Sequence, residues 1–169
     1  IAKCIKKEVA IQVEELTSYG IQPGLAVILV GSNPASQIYV RKKIRTCIEL
    51  GIHSEQVNLP EQLSTQELLT AIGKLNQSEN IDGILVQLPL PKQINTHRIL
   101  NAIHPGKDVD GFNPVNVGKL CSKNPCFVPC TPAGILQILV REKIPLIGQK
   151  AVIIGRSDIV GKPLALLLL

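Results

Sequence analysis

With 169 residues and 45% hydrophobic side chains, the chain can bury a substantial core as one ordinary domain, or as one domain plus the start of another. Aromatic residues are only 2%, so that core must be aliphatic. The +5 charge and pI near 9.0 favour anionic ligands, but the positive residues are dispersed and form no stripe that would argue for nucleic acid.

In chain order, residues 1–19 read as an amphipathic helix with Ile1, Ile5, Val9, Val13 and Leu16 on its inner side, broken by Ile21-Gln22-Pro23-Gly24. The apolar run Leu25–Val30 ends in Gly31-Ser32-Asn33-Pro34 and reads as a buried strand and its turn. A helix from Ser36 to Leu50 follows, with Ile38, Ile44, Cys47 and Ile48 recurring at helical spacing and Gly51 at the C-cap position. A weaker strand covers Ile52 to Leu59. Ser64-Thr65-Gln66-Glu67 is a capping box that opens a helix carrying Leu68, Leu69, Ile72 and Leu75. Asp82-Gly83 turns the chain into strand Ile84–Leu88, and Asn95 caps a helix from Thr96 to Ile103. His104 to Cys130 is rich in Gly, Pro and Asn and reads as one long irregular segment. Thr131 is expected as N-cap and Pro132 in the first turn of a bridging helix, Ala133–Arg141. Lys150–Ile154 reads as a strand, followed by a loop bracketed by Gly155 and Gly161 and a helix opened by Lys162-Pro163. Strands alternating with helices predict an α/β fold with a mostly parallel sheet, whose ligand site lies at the carboxyl ends of the strands.

Several constellations could carry chemistry. Tyr39 and Lys43 lie one helical turn apart on one face, and Lys43 is crowded by Arg41, Lys42 and Arg45. Crowding disfavours the charged form of a buried amine, which is how a lysine becomes a proton shuttle; a solvated basic helix face is the plain alternative. Gln87, at a strand end, could hold an amine without fixing its charge, or be an ordinary edge polar residue. In Lys107-Asp108-Val109-Asp110-Gly111 two carboxylates stand on one side if the segment is extended, suited to an amidine-like heterocycle edge, or else to turn duty. Gly155-Arg156-Ser157 before a helix start could seat a phosphate on backbone amides, and Arg156 suits the 2′-phosphate of NADP; a plain strand–helix turn explains the pattern equally well.

Five cysteines without a Cys-x-x-Cys pair read as reduced thiols of a cytoplasmic protein. Cys121, Cys126 and Cys130 with His104 match no usual zinc spacing, so no metal is expected. The apolar end, Leu164 to Leu169, is too short to span a bilayer. A start at Ile1, the lack of Met and a stop inside an apolar run lead to the expectation that both ends of a longer protein are missing.

Together and in this order, Tyr39-Val40-Arg41-Lys42-Lys43, Val86-Gln87-Leu88-Pro89-Leu90-Pro91, Lys107-Asp108-Val109-Asp110-Gly111-Phe112, Pro129-Cys130-Thr131-Pro132 and Gly155 through Pro163 resemble the bifunctional methylenetetrahydrofolate dehydrogenase/cyclohydrolase family. The resemblance implies two α/β lobes flanking a cleft: a folate-binding lobe (1–130), a bridging helix (131–143) and the beginning of a Rossmann-like NADP lobe (144–169). It implies oxidation of 5,10-methylenetetrahydrofolate with NADP and hydrolysis of the methenyl product, in a cytoplasmic homodimer without nucleic-acid or membrane partners. Lys43 would be the catalytic lysine and Gln87 its partner; Tyr39 would stack on the aminobenzoyl ring and Asp110 would bind the pterin. Val40, Arg41, Lys42, Val86 and Leu88 would complete the substrate site, and Gly155, Arg156 and Ser157 would hold the cofactor. A folate- or nucleotide-binding relative without turnover is the competing reading. A different Rossmann-type oxidoreductase, such as an amino-acid dehydrogenase, is disfavoured by Tyr39 and Lys43 together with Asp110.

Overall fold

The apolar run after Pro23 forms β1 (Gly24–Val30), and it lies at the centre of the only sheet in the computed structural model, which describes residues 1–169. β2 (His53–Leu59) and β3 (Gly83–Val86) flank it, both parallel, in the order β2-β1-β3. Ile28 stands opposite Val57 on one side and Val86 on the other. A central parallel strand is covered on both faces, which is why Ala26, Val27 and Ile28 are all fully buried and why this strand reads as continuous apolar sequence. The edge strand β2 alternates instead, with Ser54, Val57 and Leu59 partly covered.

Two compact units divide the chain: Ala2–Lys107, and Asp108–Leu169 with Ile1. The expected limits at 130 and 144 group residues by ligand; the division by packing falls earlier, at Lys107–Asp108. The first unit holds the sheet with α1 (Ala2–Ser18), α2 (Pro34–Glu49), α3 (Thr65–Gln77) and α4 (Thr96–Ala102). Its core joins Ile28 and Ile84 of the sheet to Leu68 and Ile72 of α3 and Ile99 of α4. Fully burying such a side chain contributes about 1.5–3 kcal/mol, so this cluster dominates the unit's stability.

Local signals set the helix ends. Asn33 Oδ1 accepts from Ser36 N–H at 3.1 Å with Pro34 at the first helical position. At the other end Gly51 has φ +77° and Ile52 N–H reaches back to the Cys47 carbonyl at 2.9 Å, a Schellman stop. Ser64 and Glu67 make the predicted capping box, and Asn95 caps α4. In α1 Val13 is buried and Ile5 and Val9 are half-buried, as the expected inner side requires, while Ile1 and Leu16 of that row are exposed. In α2 the buried residues are Ser36, Val40 and Cys47, whereas Ile38 and Ile48 are exposed. At about 100° per residue Ile38 lies on the far side of the helix from Val40, while Cys47 of the same spaced set is buried.

The second unit is helical: α5 (Pro114–Cys121), α6 (Cys130–Arg141) and α7 (Gly161–Leu167). α5 falls inside the segment expected to be irregular. Asn113 caps it through Val115 N–H at 2.9 Å and Pro114 opens it, the same Asn-Pro pair that opens α2. Helix α6 starts at Cys130 with Pro129 as N-cap, so Thr131 lies within the first turn and caps nothing. Residues 150–154 form no strand; Val152 and Ile154 are 80% and 100% exposed. A strand needs a neighbour to satisfy its backbone, and none pairs with this segment. No helix of the chain is long and apolar enough to cross a membrane.

Candidate active site

In the first unit the predicted residues sit on two elements that meet β1. Tyr39 and Lys43 occupy one face of α2; Tyr39 is 62% exposed and Lys43 is half-buried. Val40 faces the core between them and is fully buried, so it fixes the helix on the sheet. The basic crowd is looser than expected. Arg41 belongs to another side of α2, where it lines a shallow hollow of about 290 Å³ with Ile44, Arg45, Ile48 and Glu49. Arg45 Nε donates to Glu49 at 2.8 Å, and Lys6 approaches the same carboxylate at 3.6 Å. The Arg45 guanidinium, with help from Lys6, holds Glu49 below the usual carboxylate range. One turn after Lys43, burial pushes the Cys47 thiol above its ordinary 9.0, against the weaker opposing effects of the Ser54 hydroxyl and the Lys43 charge.

Gln87 follows β3 directly. Its backbone N–H donates to the Ile28 carbonyl at 2.9 Å, extending the β3–β1 ladder by one bond, and its Nε2 donates to the Leu88 carbonyl at 2.7 Å. Its Oε1 is buried and accepts no hydrogen bond, from Lys43 or any other group. A buried acceptor left open costs about 1–3 kcal/mol, so the position is one where a donor is wanted. Val86 is buried in the core, Leu88 is partly covered, and Leu88-Pro89 is a cis peptide. A concavity of about 330 Å³ does open at the carboxyl ends of β1 and β3, but turn residues line it: Gly31, Asn33, Glu61, Pro89 and Pro91 among them. None of the predicted site residues is in its wall.

In the second unit Asp108 and Asp110 are not a matched pair. Asp108 is 1% exposed, and its Oδ2 accepts from Asn113 N–H at 2.8 Å and Asn116 Nδ2 at 2.9 Å. Asp110 is only partly buried, and its Oδ1 lies 3.9 Å from the Cys130 thiol, which donates to it. The chain turns here rather than running extended: Gly111 N–H donates to the Asp108 carbonyl at 3.1 Å, and Gly111 has φ +66°. Asn113, Asn116 and Cys130 were not singled out from the sequence as neighbours of this motif. The Asn113-Pro114 pair was the available signal, since it marks a helix start that brings residue 116 back toward residue 108.

Gly155, Arg156 and Ser157 are exposed and lie in the loop ahead of α7. The loop closes tightly: a Cβ on Gly161 would fall 2.3 Å from the Gly155 carbonyl oxygen, so only glycine fits there. Ser157 Oγ accepts the N–H groups of Val160 and Gly161 at 3.2 and 3.3 Å, ordering the turn. A tight glycine turn beside an exposed guanidinium suits an anionic phosphate, and in this respect the residues present fit a dinucleotide.

Comparison with known proteins identifies the family. The model of the tetrahydrofolate dehydrogenase/cyclohydrolase catalytic domain matches residues 1–110, and that of the NAD(P)-binding domain of the same enzymes matches residues 129–169. The bifunctional protein FolD of Solibacter usitatus is 58% identical over 165 residues, covering 98% of this chain and 54% of the relative. The crystal structure of the bifunctional enzyme FolD from Campylobacter jejuni superposes with a TM-score of 0.96 at 48% identity, over 98% of this chain and 59% of that one. The Trypanosoma brucei dehydrogenase-cyclohydrolase, solved with NADP cofactor and an inhibitor, gives 0.95 at 38% identity, over 99% and 58%. The chain thus spans a little over half the length of these relatives. Across both of its compact units, it belongs to the tetrahydrofolate dehydrogenase/cyclohydrolase family.

Proposed function

We propose that the full-length protein oxidises 5,10-methylenetetrahydrofolate to the 5,10-methenyl form and hydrolyses that product to 10-formyltetrahydrofolate, with Lys43 as the proton-shuttling residue. The observation that carries this reading is the open, buried Oε1 of Gln87 at the carboxyl end of β3. A neutral amide oxygen can accept from a lysine amine without fixing its charge, which a carboxylate would do. Loss of hydride leaves a cation shared over N–C–N, and a readily deprotonated amine suits that cation better than a permanent charge. When water adds to the methenyl carbon, one of its protons passes to the Lys43 amine. The same group then protonates the leaving ring nitrogen as the C–N bond breaks; the hydroxyl gives up its remaining proton to solvent as its C=O forms, leaving the formyl group on the other nitrogen.

Tyr39, exposed on the same face of α2, would stack on the aminobenzoyl ring, and Asp110 would pair with the amidine-like edge of the pterin. Val40 and Val86 are buried, so they would support the substrate through backbone placement, while Arg41, Lys42 and Leu88 complete its surroundings. Gly155, Arg156 and Ser157 would hold the phosphates of NADP, which supplies the hydride acceptor when bound. In this reading residues 1–130 form the folate-binding part, 131–143 the bridge and 144–169 the start of the NADP-binding part. The reading extends to a cytoplasmic homodimer without nucleic-acid or membrane partners.

The test is Lys43→Met in the full-length protein. Hydrolysis of the methenyl substrate should fall by at least about a hundredfold while the thermal midpoint moves little, because Lys43 is only half-buried. Hydrolysis retained at the unaltered rate would remove Lys43 from the mechanism.

A further inference from the structure

We propose that Asp108 is a positioning residue for folate recognition, holding the turn that carries Asp110; the proposal rests on the folate-site reading of Asp110 above. Asp108 is 1% exposed, and its carboxyl group is met by amides, the Asn113 N–H and the fully buried Asn116 Nδ2. Burying a carboxyl group is costly, and an ordinary surface turn does not require it. A buried, doubly bonded acceptor under a turn excludes alternative turn geometries, because each alternative strands at least one polar group.

The backbone is held on both sides of Asp110, at Asp108 and at Gly111. On one side the Asp108 carbonyl accepts from Gly111 N–H at 3.1 Å. On the other, Gly111 takes φ +66° with its Cα so close to the next segment that a Cβ would fall 2.9 Å from the Phe127 carbonyl oxygen. The Cys130 thiol donates to the Asp110 carboxylate at 3.9 Å, so the carboxylate leaves the turn in a defined direction. Paired recognition of an amidine-like edge needs its carboxylate placed to within about 0.5 Å, and the Asp108–Asn113–Asn116 cluster is the part of the unit built to that purpose. The two acidic residues of the motif thus divide the work: Asp108 fixes the turn and Asp110 meets the ligand.

The experiment is equilibrium binding of 5,10-methenyltetrahydrofolate, and separately of NADP, to four forms of the full-length protein: unaltered, Asp108→Ala, Asp110→Ala and the double variant. Asp108→Ala should weaken folate binding by about tenfold while NADP affinity stays within about twofold. Added to Asp110→Ala, it should cause no further loss, because it acts through Asp110. An additive loss in the double variant, or an unchanged folate affinity in folded Asp108→Ala, would overturn the proposal. Unchanged folate affinity in Asp110→Ala would instead overturn the assigned role of Asp110, and this proposal with it. Should Asp108→Ala fail to fold, Asn116→Ala removes only one of the two donors. A loss of about threefold that vanishes in the Asp110→Ala background supports the proposal, and a loss that persists there overturns it.

Discussion

Leu25–Val30 and Lys150–Ile154 are both short apolar runs that end at a glycine, and only the first is a strand. β1 has β2 on one side and β3 on the other, with α3 and α4 contributing to the core it joins, and Ile28 is fully buried. Residues 150–154 have no partner strand, and Ile154 is wholly exposed. The two runs carry the same local preference for extended chain, so the difference comes from what surrounds them. A strand is a shared structure: its backbone groups are satisfied by neighbours, and apolar sequence expresses itself as β only where those neighbours exist.

Substitutions can break or sharpen this contrast. Ile28→Ala should cost about 2–5 kcal/mol in unfolding free energy, because it opens a cavity under the central strand; a loss below about 1 kcal/mol in denaturant titration would mean that the sheet is not the stabilising centre. Gln87→Met tests whether the sheet's carboxyl edge carries chemistry as well as structure. It removes an unsatisfied acceptor together with the Nε2 bond to the Leu88 carbonyl, two opposing effects, so stability should change by about 1 kcal/mol or less while methenyl hydrolysis falls by about a hundredfold. Parallel losses of stability and rate would return Gln87 to an edge polar residue.

Cys47 adds a pH signature that only the first unit should show. Burial raises its pKa above 9.0, so the protonated thiol is favoured in the folded state. The folded state then holds a proton that the unfolded chain releases, and stability declines as pH rises through the unfolded value toward the folded one. The slope is at most about 1.4 kcal/mol per pH unit, and Cys47→Ala should remove it. Equal alkaline slopes for the two proteins would show that the thiol is no more protected in the fold than in the unfolded chain. The smallest effect is expected from Val152→Ala, within about 0.5 kcal/mol because the side chain is 80% exposed. A loss near that of Ile28→Ala would show that residue 152 packs in solution as a strand residue does.

The same contrast explains what the sequence made legible. β1, the capping box at Ser64 and Glu67, the Gly51 stop and the Asn95 cap were all readable because each rests on neighbours within a few residues. In α1 the inner row was readable at Ile5, Val9 and Val13 but not at Leu16, and in α2 spacing alone did not tell buried Cys47 from exposed Ile38, because burial depends on distant packing. α5 was hidden by a run of Gly, Pro and Asn, although Asn113-Pro114 repeats the start of α2. The places of Lys43 on α2 and of Gln87 at the end of β3 were legible. The separation of Asp108 from Asp110 was not, since it depends on Asn113 and Asn116 reaching back across several residues to a buried oxygen.

The proposed chemistry is tested by mixing the full-length protein with 5,10-methylenetetrahydrofolate and NADP, and then with NAD in place of NADP, while following the reduced nicotinamide and the methenyl intermediate together. Reduction should depend on NADP, with little methenyl product standing at any time because Lys43 disposes of it. Folate that binds without any reduction of either nucleotide would contradict this chemistry, and would leave a binding protein that keeps the site without the turnover.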